Sequence, residues 1–323
     1  MHSITFKNID ELSDCLNKNH AEIALRKLSD TKSHMDLTTF GNIHFFKHLI
    51  PFELHMYGGI PGDYYSVFLP LDGSVVGNGK TFHGNSMSLI HPGKEFTNYS
   101  HGPFTVCTLC IPKKLLEDFL LSQNENYKFP PSAMMDVDFQ KMHKLKSLLK
   151  EMSTGLKLQP TLIDQEKAVK SMQNQLLQTM GEILLPTPNT FLENTKIDSL
   201  ASALKSMDSH LSDHFGVAEI ARELNISRRS LQTLFTDYFG LSPLKFINLR
   251  RMNLVREALR HCDPGSTSIA NIAAQHGFWH LGRFAGNYRE LFGELPSETI
   301  SRKDSSSHAI QSLKNITDNF FFR

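Results

Sequence analysis

The spacing of apolar residues changes twice along the chain and divides it into three stretches. In residues 1–30, Leu12, Leu16 and Ile23 fall roughly on one helical face, which predicts a short helical lead. From about residue 43 the apolar residues form short runs rich in aromatic and β-branched side chains, at 43–49, 64–71, 86–90 and 104–111. Turns containing Gly and Pro separate these runs, so the pattern predicts an antiparallel barrel or sandwich.

Helical periodicity returns after Pro112, with a short helix predicted over 113–121. Two apolar stripes follow. The first contains Phe139, Met142, Leu145, Leu149 and Met152, and the second contains Val169, Met172, Leu176, Met180 and Ile183 at a spacing close to a heptad. Both stripes could cover the barrel, or one could be a dimer interface. The predicted dimerisation residues are Val169, Met172, Leu176 and Met180.

Within the third stretch, residues 217–296 contain the same pattern twice. Ile220-Ala221 corresponds to Ile272-Ala273, and the offset grows by one residue in the turn that follows. Beyond the turn, Leu231, Phe235, Phe239, Gly240 and Pro243 correspond to Phe284, Tyr288, Phe292, Gly293 and Pro296. A small Ala where two helices cross, an apolar stripe and a C-terminal Gly predict a helix-turn-helix unit in each copy.

Two sequence motifs in these copies are typical of one family. Asn225-Ile-Ser-Arg-Arg-Ser-Leu-Gln232, and Gly277-Phe278 with the closing Phe-Gly-x-x-Pro, resemble the double helix-turn-helix domain of the AraC family of bacterial transcription regulators across about 198–300. Residues 82–96 resemble the family's cupin-like sensor barrel more weakly. Residues 277–288 are most similar to regulators of ethanolamine utilisation.

The resemblance implies an α+β protein with an N-terminal cupin-like antiparallel β-barrel and an all-α DNA-binding domain of two units joined by a long helix. The expected division is a sensor and dimerisation domain (1–185, with the barrel at 40–112 and helices at 113–185), a linker (186–197), the DNA-binding domain (198–300) and a tail (301–323). It also implies an activator that is not an enzyme, acts as a homodimer on promoter DNA and contacts RNA polymerase.

The DNA-contacting residues follow from the helical geometry. If Leu231, Leu234 and Phe235 face the core, then Arg228, Arg229, Gln232 and Thr233 lie on the exposed face of the recognition helix, and these positions match the family's base-reading positions. The second unit has Gly282, Ala285 and Gly286 at the positions of Arg229, Gln232 and Thr233. Its remaining candidates are His280, Arg283 and Asn287.

Composition and charge bear on whether the protein binds nucleic acid, is exported or crosses a membrane. The chain has 323 residues, 40% of them hydrophobic and 21% charged, with a formal net charge of +1, so its overall charge gives no sign of nucleic-acid binding. Seven basic residues nevertheless cluster in the C-terminal third: Arg222, Arg228, Arg229, Lys245, Arg250, Arg251 and Arg256. The first ten residues do not form an export signal and no apolar run is long enough to cross a bilayer, so we expect a cytoplasmic protein.

No metal or cofactor is expected. Cys107 and Cys110 lie in a predicted strand, where residues three apart point to opposite faces. A repair methyl-acceptor fused to the same DNA-binding domain would need a reactive Cys, and the sequence offers none. Control by a small effector in the barrel is favoured, and control by a protein partner remains the alternative. The candidate effector contacts are Tyr64, Phe68, His83 and His91.

Overall fold

The structure is a computed structural model, and it divides into an N-terminal β-rich part and a C-terminal helical part. The residues it describes are 2–6, 8–17, 21–27, 32–77, 79–82, 84–130, 132–185, 203, 216–262 and 267–301. The predicted linker at 186–197, the tail from 302 onward and His83 lie outside them.

The strands of the N-terminal part form two antiparallel sheets. A seven-stranded sheet has the order β1-β3-β4-β11-β6-β9-β12, and a five-stranded sheet has the order β2-β5-β10-β7-β8. The strands are His2–Phe6 (β1), Ala21–Lys27 (β2), Ser33–Phe40 (β3), Ile43–Ile50 (β4), Glu53–Gly59 (β5), Tyr64–Asp72 (β6), Val75–Gly77 (β7), Lys80–Thr81 (β8), Ser86–Ile90 (β9), Glu95–Ser100 (β10), Phe104–Pro112 (β11) and Ala133–Asp136 (β12).

The four predicted strand runs correspond to β4, β6, β9 and β11, which are neighbours in the seven-stranded sheet. The predicted helical lead is wrong in part. Leu12 lies in helix α1 (Ile9–Asn17), but Ile23 lies in β2, where it shares the inner face of the five-stranded sheet with Leu25. The predicted cupin-like barrel is not confirmed, because the described strands pair in two groups and do not close into one barrel. Antiparallel pairing itself is confirmed.

Three helices cover the outer face of the seven-stranded sheet. They are α2 (Lys113–Gln123), α3 (Phe139–Leu158) and α4 (Glu166–Leu184), with a short 3₁₀ helix at Pro160–Asp164. Asp138 caps α3 by accepting hydrogen bonds from the backbone N–H groups of Gln140 and Lys141. Leu176 and Met180 are completely buried in the core beneath these helices.

This burial corrects the proposed dimer seam. Of the four residues, Leu176 and Met180 leave no surface for a second subunit, and Met172 is partly buried against the same core. Val169 lies beside Gly41 at the turn between β3 and β4. The stripe therefore covers the sheet of its own chain, and the sheet already removes its apolar side chains from water.

The described C-terminal helices are arranged as the repeat predicts. They are α5 (Val217–Glu223), α6 (Arg228–Phe239), α7 (Pro243–His261), α8 (Ile269–Gln275), α9 (Leu281–Phe292) and α10 (Pro296–Ser301). The predicted linking helix at 243–261 is α7, with Ser242 as its N-cap and Pro243 in its first turn. The core of the first unit contains Leu231, Phe235 and Phe246, and that of the second contains Ile272, Phe284 and Tyr288.

The helical part packs against the five-stranded sheet. Alternation along the paired strands places Leu54 and Met56 on the inner face of this sheet, whereas His55 and Tyr57 lie on its outer face. The outer face meets α6, α7 and α9. The five-stranded sheet is thus the layer between the N-terminal core and the two helix-turn-helix units.

Candidate nucleic-acid interface

Both helix-turn-helix units contain the same turn. In the first unit, the Ile226 N–H donates to the Ala221 carbonyl at 2.9 Å, and Asn225 has a φ of 52°. In the second, the Phe278 N–H donates to the Ala273 carbonyl at 2.9 Å, and Gly277 has a φ of 84°. Asn and Gly are the residues that accept this left-handed conformation most readily. The repeat in sequence is therefore a repeat in backbone geometry.

The recognition helices α6 and α9 also end in the same way. Gly240 closes α6 with a φ of 62°, and Gly293 closes α9 with a φ of 73°, as the sequence predicted for both positions. Their beginnings differ. Ser227 caps α6 by accepting from the Ser230 N–H at 3.0 Å, whereas His280 at the start of α9 makes no side-chain cap. Matching Ile226 with Phe278 and Ser227 with His280 identifies Trp279 as the inserted residue.

The first recognition helix presents a polar face. Arg228, Arg229, Gln232 and Thr233 are all exposed, while Leu231 and Phe235 are buried in the unit's core. The Gln232 Nε2 donates to the Thr236 Oγ1 at 3.3 Å, one turn further along the same face. Arg and Gln side chains here carry the donors and acceptors that base edges in the major groove complement.

The second recognition helix presents a different face. His280, Gly282, Arg283, Gly286 and Asn287 are exposed. A Cβ atom built on Gly282 or Gly286 would meet no atom of the described residues within 4 Å. The structure thus brings the predicted contacts of each unit onto one exposed helix face, but only the first face is rich in long polar side chains.

The basic cluster of the C-terminal third divides into two groups. Arg222 and Lys245 are exposed with the arginines of α6, and Arg251 is half-buried beside Gly277, where burial lowers its pKa. Arg250 and Arg256 are each only 6% exposed and face the N-terminal domain. Fewer members of the basic cluster are therefore exposed near the candidate DNA contacts than the sequence indicated.

Arg256 holds the two domains together through a buried ion pair. Its Nε and Nη2 donate to the two carboxylate oxygens of Asp10 at 2.7 and 2.9 Å, and its Nη1 lies 2.9 Å from Glu294. One turn along, Arg260 pairs with Asp14 at 3.1 and 2.8 Å. Burial alone would lower the pKa of Arg256, but its hydrogen bonds and the charge of Asp10 raise it. Sequence reasoning missed this contact.

A second contact joins the N-terminal domain to the first unit. The ring of His55, which is 1% exposed, lies 5.6 Å from each of the rings of Phe239 and Phe246 and 5.5 Å from that of Tyr99. Burial, with the nearby positive charge of Arg26, holds the pKa of His55 well below its ordinary value. These contacts involve the C-terminal end of α6, so its N-terminal half remains exposed.

The candidate effector residues do not form one cluster. Tyr64 lies 3.4 Å from His44, and Phe68 packs against Phe82 on the inner face of the seven-stranded sheet. His91 packs instead against Tyr65, whose side chain points to the outer face. Because successive side chains of β6 point to opposite faces, Tyr64 and Phe68 are separated from Tyr65 and its neighbour His91.

Cys107 and Cys110 are buried on opposite faces of β11, as the strand prediction requires. Burial raises the pKa of each thiol to about 12, so both are unreactive thiols at neutral pH. Within the described residues, no group of three His, Cys, Asp or Glu side chains is placed to hold a metal ion.

Comparison with known proteins identifies the family. A family model described as a helix-turn-helix domain matches residues 220–302. The XylDLEGF operon transcriptional activator 2 of Pseudomonas putida is 37% identical over 136 residues, which are 42% of this chain and 84% of that protein. The chain belongs to the AraC family of transcription regulators. The predicted family is therefore confirmed.

A second AraC-family relative is matched over a smaller part of its length. The probable thc operon regulatory protein of Rhodococcus erythropolis is 38% identical over 98 residues, which is 30% of each chain. Both relatives are named as regulators of operons, and such proteins are not enzymes. The chain thus spans less than a third of the Rhodococcus relative by similarity.

Solved structures related to this AraC-family chain include the AraC-like transcriptional activator CuxR. Its similarity covers 79% of this chain and 95% of that chain, with 12% sequence identity and a TM-score of 0.43. A ToxT structure from Vibrio cholerae covers 89% of this chain and 99% of that chain, with 15% identity and a TM-score of 0.30. Across the described part of the chain, the helices are too short or too polar to span a membrane.

Proposed function

We propose that this AraC-family protein is a sequence-specific activator that binds promoter DNA through both helix-turn-helix units. The observation that carries the proposal is the exposed face of Arg228, Arg229, Gln232 and Thr233 on a helix whose turn and C-cap are repeated in the second unit. Arg can bind the O6 and N7 atoms of guanine, and Gln can bind adenine. The named activators among the relatives support the direction of regulation.

The length of α7 supports binding by both units at once. Its 19 residues span roughly 27 Å at ~1.5 Å per residue. Successive major grooves on one face of DNA are about 34 Å apart. A helix of this length, with a reading helix beyond each end, matches the spacing between adjacent grooves.

Control by the N-terminal domain completes the proposal. A small effector bound near Tyr64, Phe68, His83 or His91 would alter the contacts of the five-stranded sheet with α6 and α7. The protein would act as a homodimer, through a surface other than the buried residues of α4, and would contact RNA polymerase in the cytoplasm. The alternative is a protein partner in place of the effector. A thermal-shift screen of the full-length protein against metabolites separates these two forms of control.

Genome-wide mapping of binding sites, followed by titration of the full-length protein with a mapped site, tests DNA binding. We expect affinity to fall steeply with salt, because Lys and Arg release counterions from the DNA backbone. Arg229→Ala should cost about 1–3 kcal/mol at the mapped site and relax the preference at one base pair. Lys170→Ala, which changes an exposed residue of α4, is the control. Salt-insensitive or sequence-independent binding would contradict the proposal.

A further inference from the structure

The four base-reading positions of α6 have apolar or glycine counterparts in α9. Because Ser227 corresponds to His280, the positions of Arg228, Arg229, Gln232 and Thr233 are occupied by Leu281, Gly282, Ala285 and Gly286. We propose that α9 recognises thymine 5-methyl groups in the major groove by apolar contact. This inference rests on the proposed function and names the chemistry that the second unit recognises.

The correspondence is fixed by backbone geometry on both sides of α9. The hydrogen bond from Phe278 to Ala273 matches that from Ile226 to Ala221, and the left-handed Gly293 matches Gly240. Between these points, Phe284 is buried as Leu231 is. The side of α9 that carries Leu281 and Ala285 is therefore the side that α6 turns toward solvent.

No contact within the described part of the chain requires a glycine at either position in α9. A Gly in a helix interior is less favourable than Ala because it loses more backbone freedom. Gly286 lies in the interior of the 12-residue helix and Gly282 in its first turn, and an added Cβ at either position would meet nothing within 4 Å among the described residues outside the adjacent backbone. A surface that must approach the helix backbone closely explains both positions.

The side chains beside the glycines are apolar, and Ala285 among them is half-buried. Leu281 is 44% exposed and the inserted Trp279 is 61% exposed. In the major groove, the C5-methyl group of thymine is the apolar feature that distinguishes it, and small apolar side chains are what contact it. Leu281 and Ala285 have this chemistry, and they carry no side-chain donor or acceptor for the other base edges.

The charges around this face favour DNA over an apolar protein surface. Arg283 and Arg289 are exposed on the same helix, where each can contact a phosphate. His280 is exposed at its N-terminus, and Glu290, its exposed acidic residue, lies toward the C-terminal end. An apolar strip with cations along it matches a methyl-lined groove between two phosphate backbones.

Replacing thymine with deoxyuridine tests the proposal directly, because the base pair is kept and only the methyl group is lost. The probe is the mapped duplex with single thymines replaced in turn, bound by the full-length protein. Burial of one methyl-sized group predicts about fourfold weaker binding at each contacted thymine, confined to the half-site of α9. Leu281→Ala should remove part of this sensitivity, whereas Leu158→Ala, which changes an 82% exposed leucine of α3, should not.

Three results would overturn the inference. Sequence-specific binding with no sensitivity to deoxyuridine removes methyl recognition and leaves the proposed function intact. Loss of transcription activation by Leu281→Ala with unchanged DNA affinity and deoxyuridine sensitivity makes the face a protein-docking surface. Absence of any sequence-dependent binding by the unmodified protein removes the proposed function itself.

Discussion

Breaking the ion pair between Asp10 and Arg256 by removing one partner should cost several times as much stability as breaking a surface pair, because the other charge stays buried. Asp10→Ala would leave the guanidinium of Arg256, which is 6% exposed, without its two hydrogen bonds. Removing one partner of a buried pair costs about 3–5 kcal/mol. Glu294 still lies 2.9 Å from Arg256, so we expect a loss near the lower end, about 3 kcal/mol.

Urea denaturation of the full-length protein measures this loss, with fluorescence of Trp279, the only tryptophan, reporting on the second unit. Glu182→Gln is the matched control, because it breaks an exposed pair with Lys144 that is worth about 0–1 kcal/mol. Combining Asp10→Ala with Arg256→Met should recover much of the stability, since no uncompensated charge is then buried. If Asp10→Ala costs no more than Glu182→Gln, the ion pair does not hold the domains together.

Three further predictions concern the glycines of α9, its arginine and the buried histidine. Gly286→Ala should stabilise the fold by about 1 kcal/mol in thermal denaturation, Gly282→Ala in the first turn should stabilise it by less, and both should weaken DNA binding; stabilisation without weaker binding would mean that DNA does not approach this face. Arg283→Ala should weaken binding to specific and scrambled sites about equally and make the salt slope shallower by about one; lost discrimination would show that Arg283 reads bases. Burial lowers the pKa of His55, so its neutral form stabilises the contact with α6, and stability should fall as the pH drops below the ordinary value of 6.5. Arg26 and His101, whose positive charges oppose protonation of His55, share this site, and His55→Phe should reduce the pH dependence in denaturation at pH 5 and pH 7.

The helix-turn-helix units could be predicted because their signals are local. Ala221 and Ala273 at the helix crossings, and Gly240 and Gly293 at the helix ends, are required by the backbone within a few residues of each position. The strands β4, β6, β9 and β11 could be predicted for the same reason, since each is a run of apolar and β-branched residues. These features do not depend on which partner they pack against.

The remaining parts depend on distant partners. β3 alternates between buried and partly exposed residues from Ser33 to Leu37, but its Asp and His side chains conceal the pattern. In β2, Ile23 and Leu25 are two apart, and their strand form is fixed by pairing with β5 rather than by local periodicity. The division into two sheets is equally a matter of pairing, which short strand runs do not specify.

The contact between the domains was beyond sequence reasoning because its partners are 246 residues apart. Asp10 and Asp14 are spaced four residues apart on α1, and Arg256 and Arg260 have the same spacing on α7. Each pair alone is typical of a solvated helix face. Only the fold places the two faces against each other and converts them into buried ion pairs.

In the proposed function, the placement of α7 would link regulation to the spacing between α6 and α9. One side of α7 carries Phe246 and Val255 into the cores of the two units, and the other side carries Arg250, Arg256 and Arg260 onto the N-terminal domain. Asn253 on this second side accepts a hydrogen bond from the backbone of Leu25 in β2. A change in β2 or α1 would therefore act on α7, the helix that separates α6 from α9, without contacting the exposed side chains that are proposed to bind DNA. An effector could alter affinity in this way only if it binds the two arrangements of this contact unequally, and the Asp10 and Arg256 variants would change its apparent affinity accordingly.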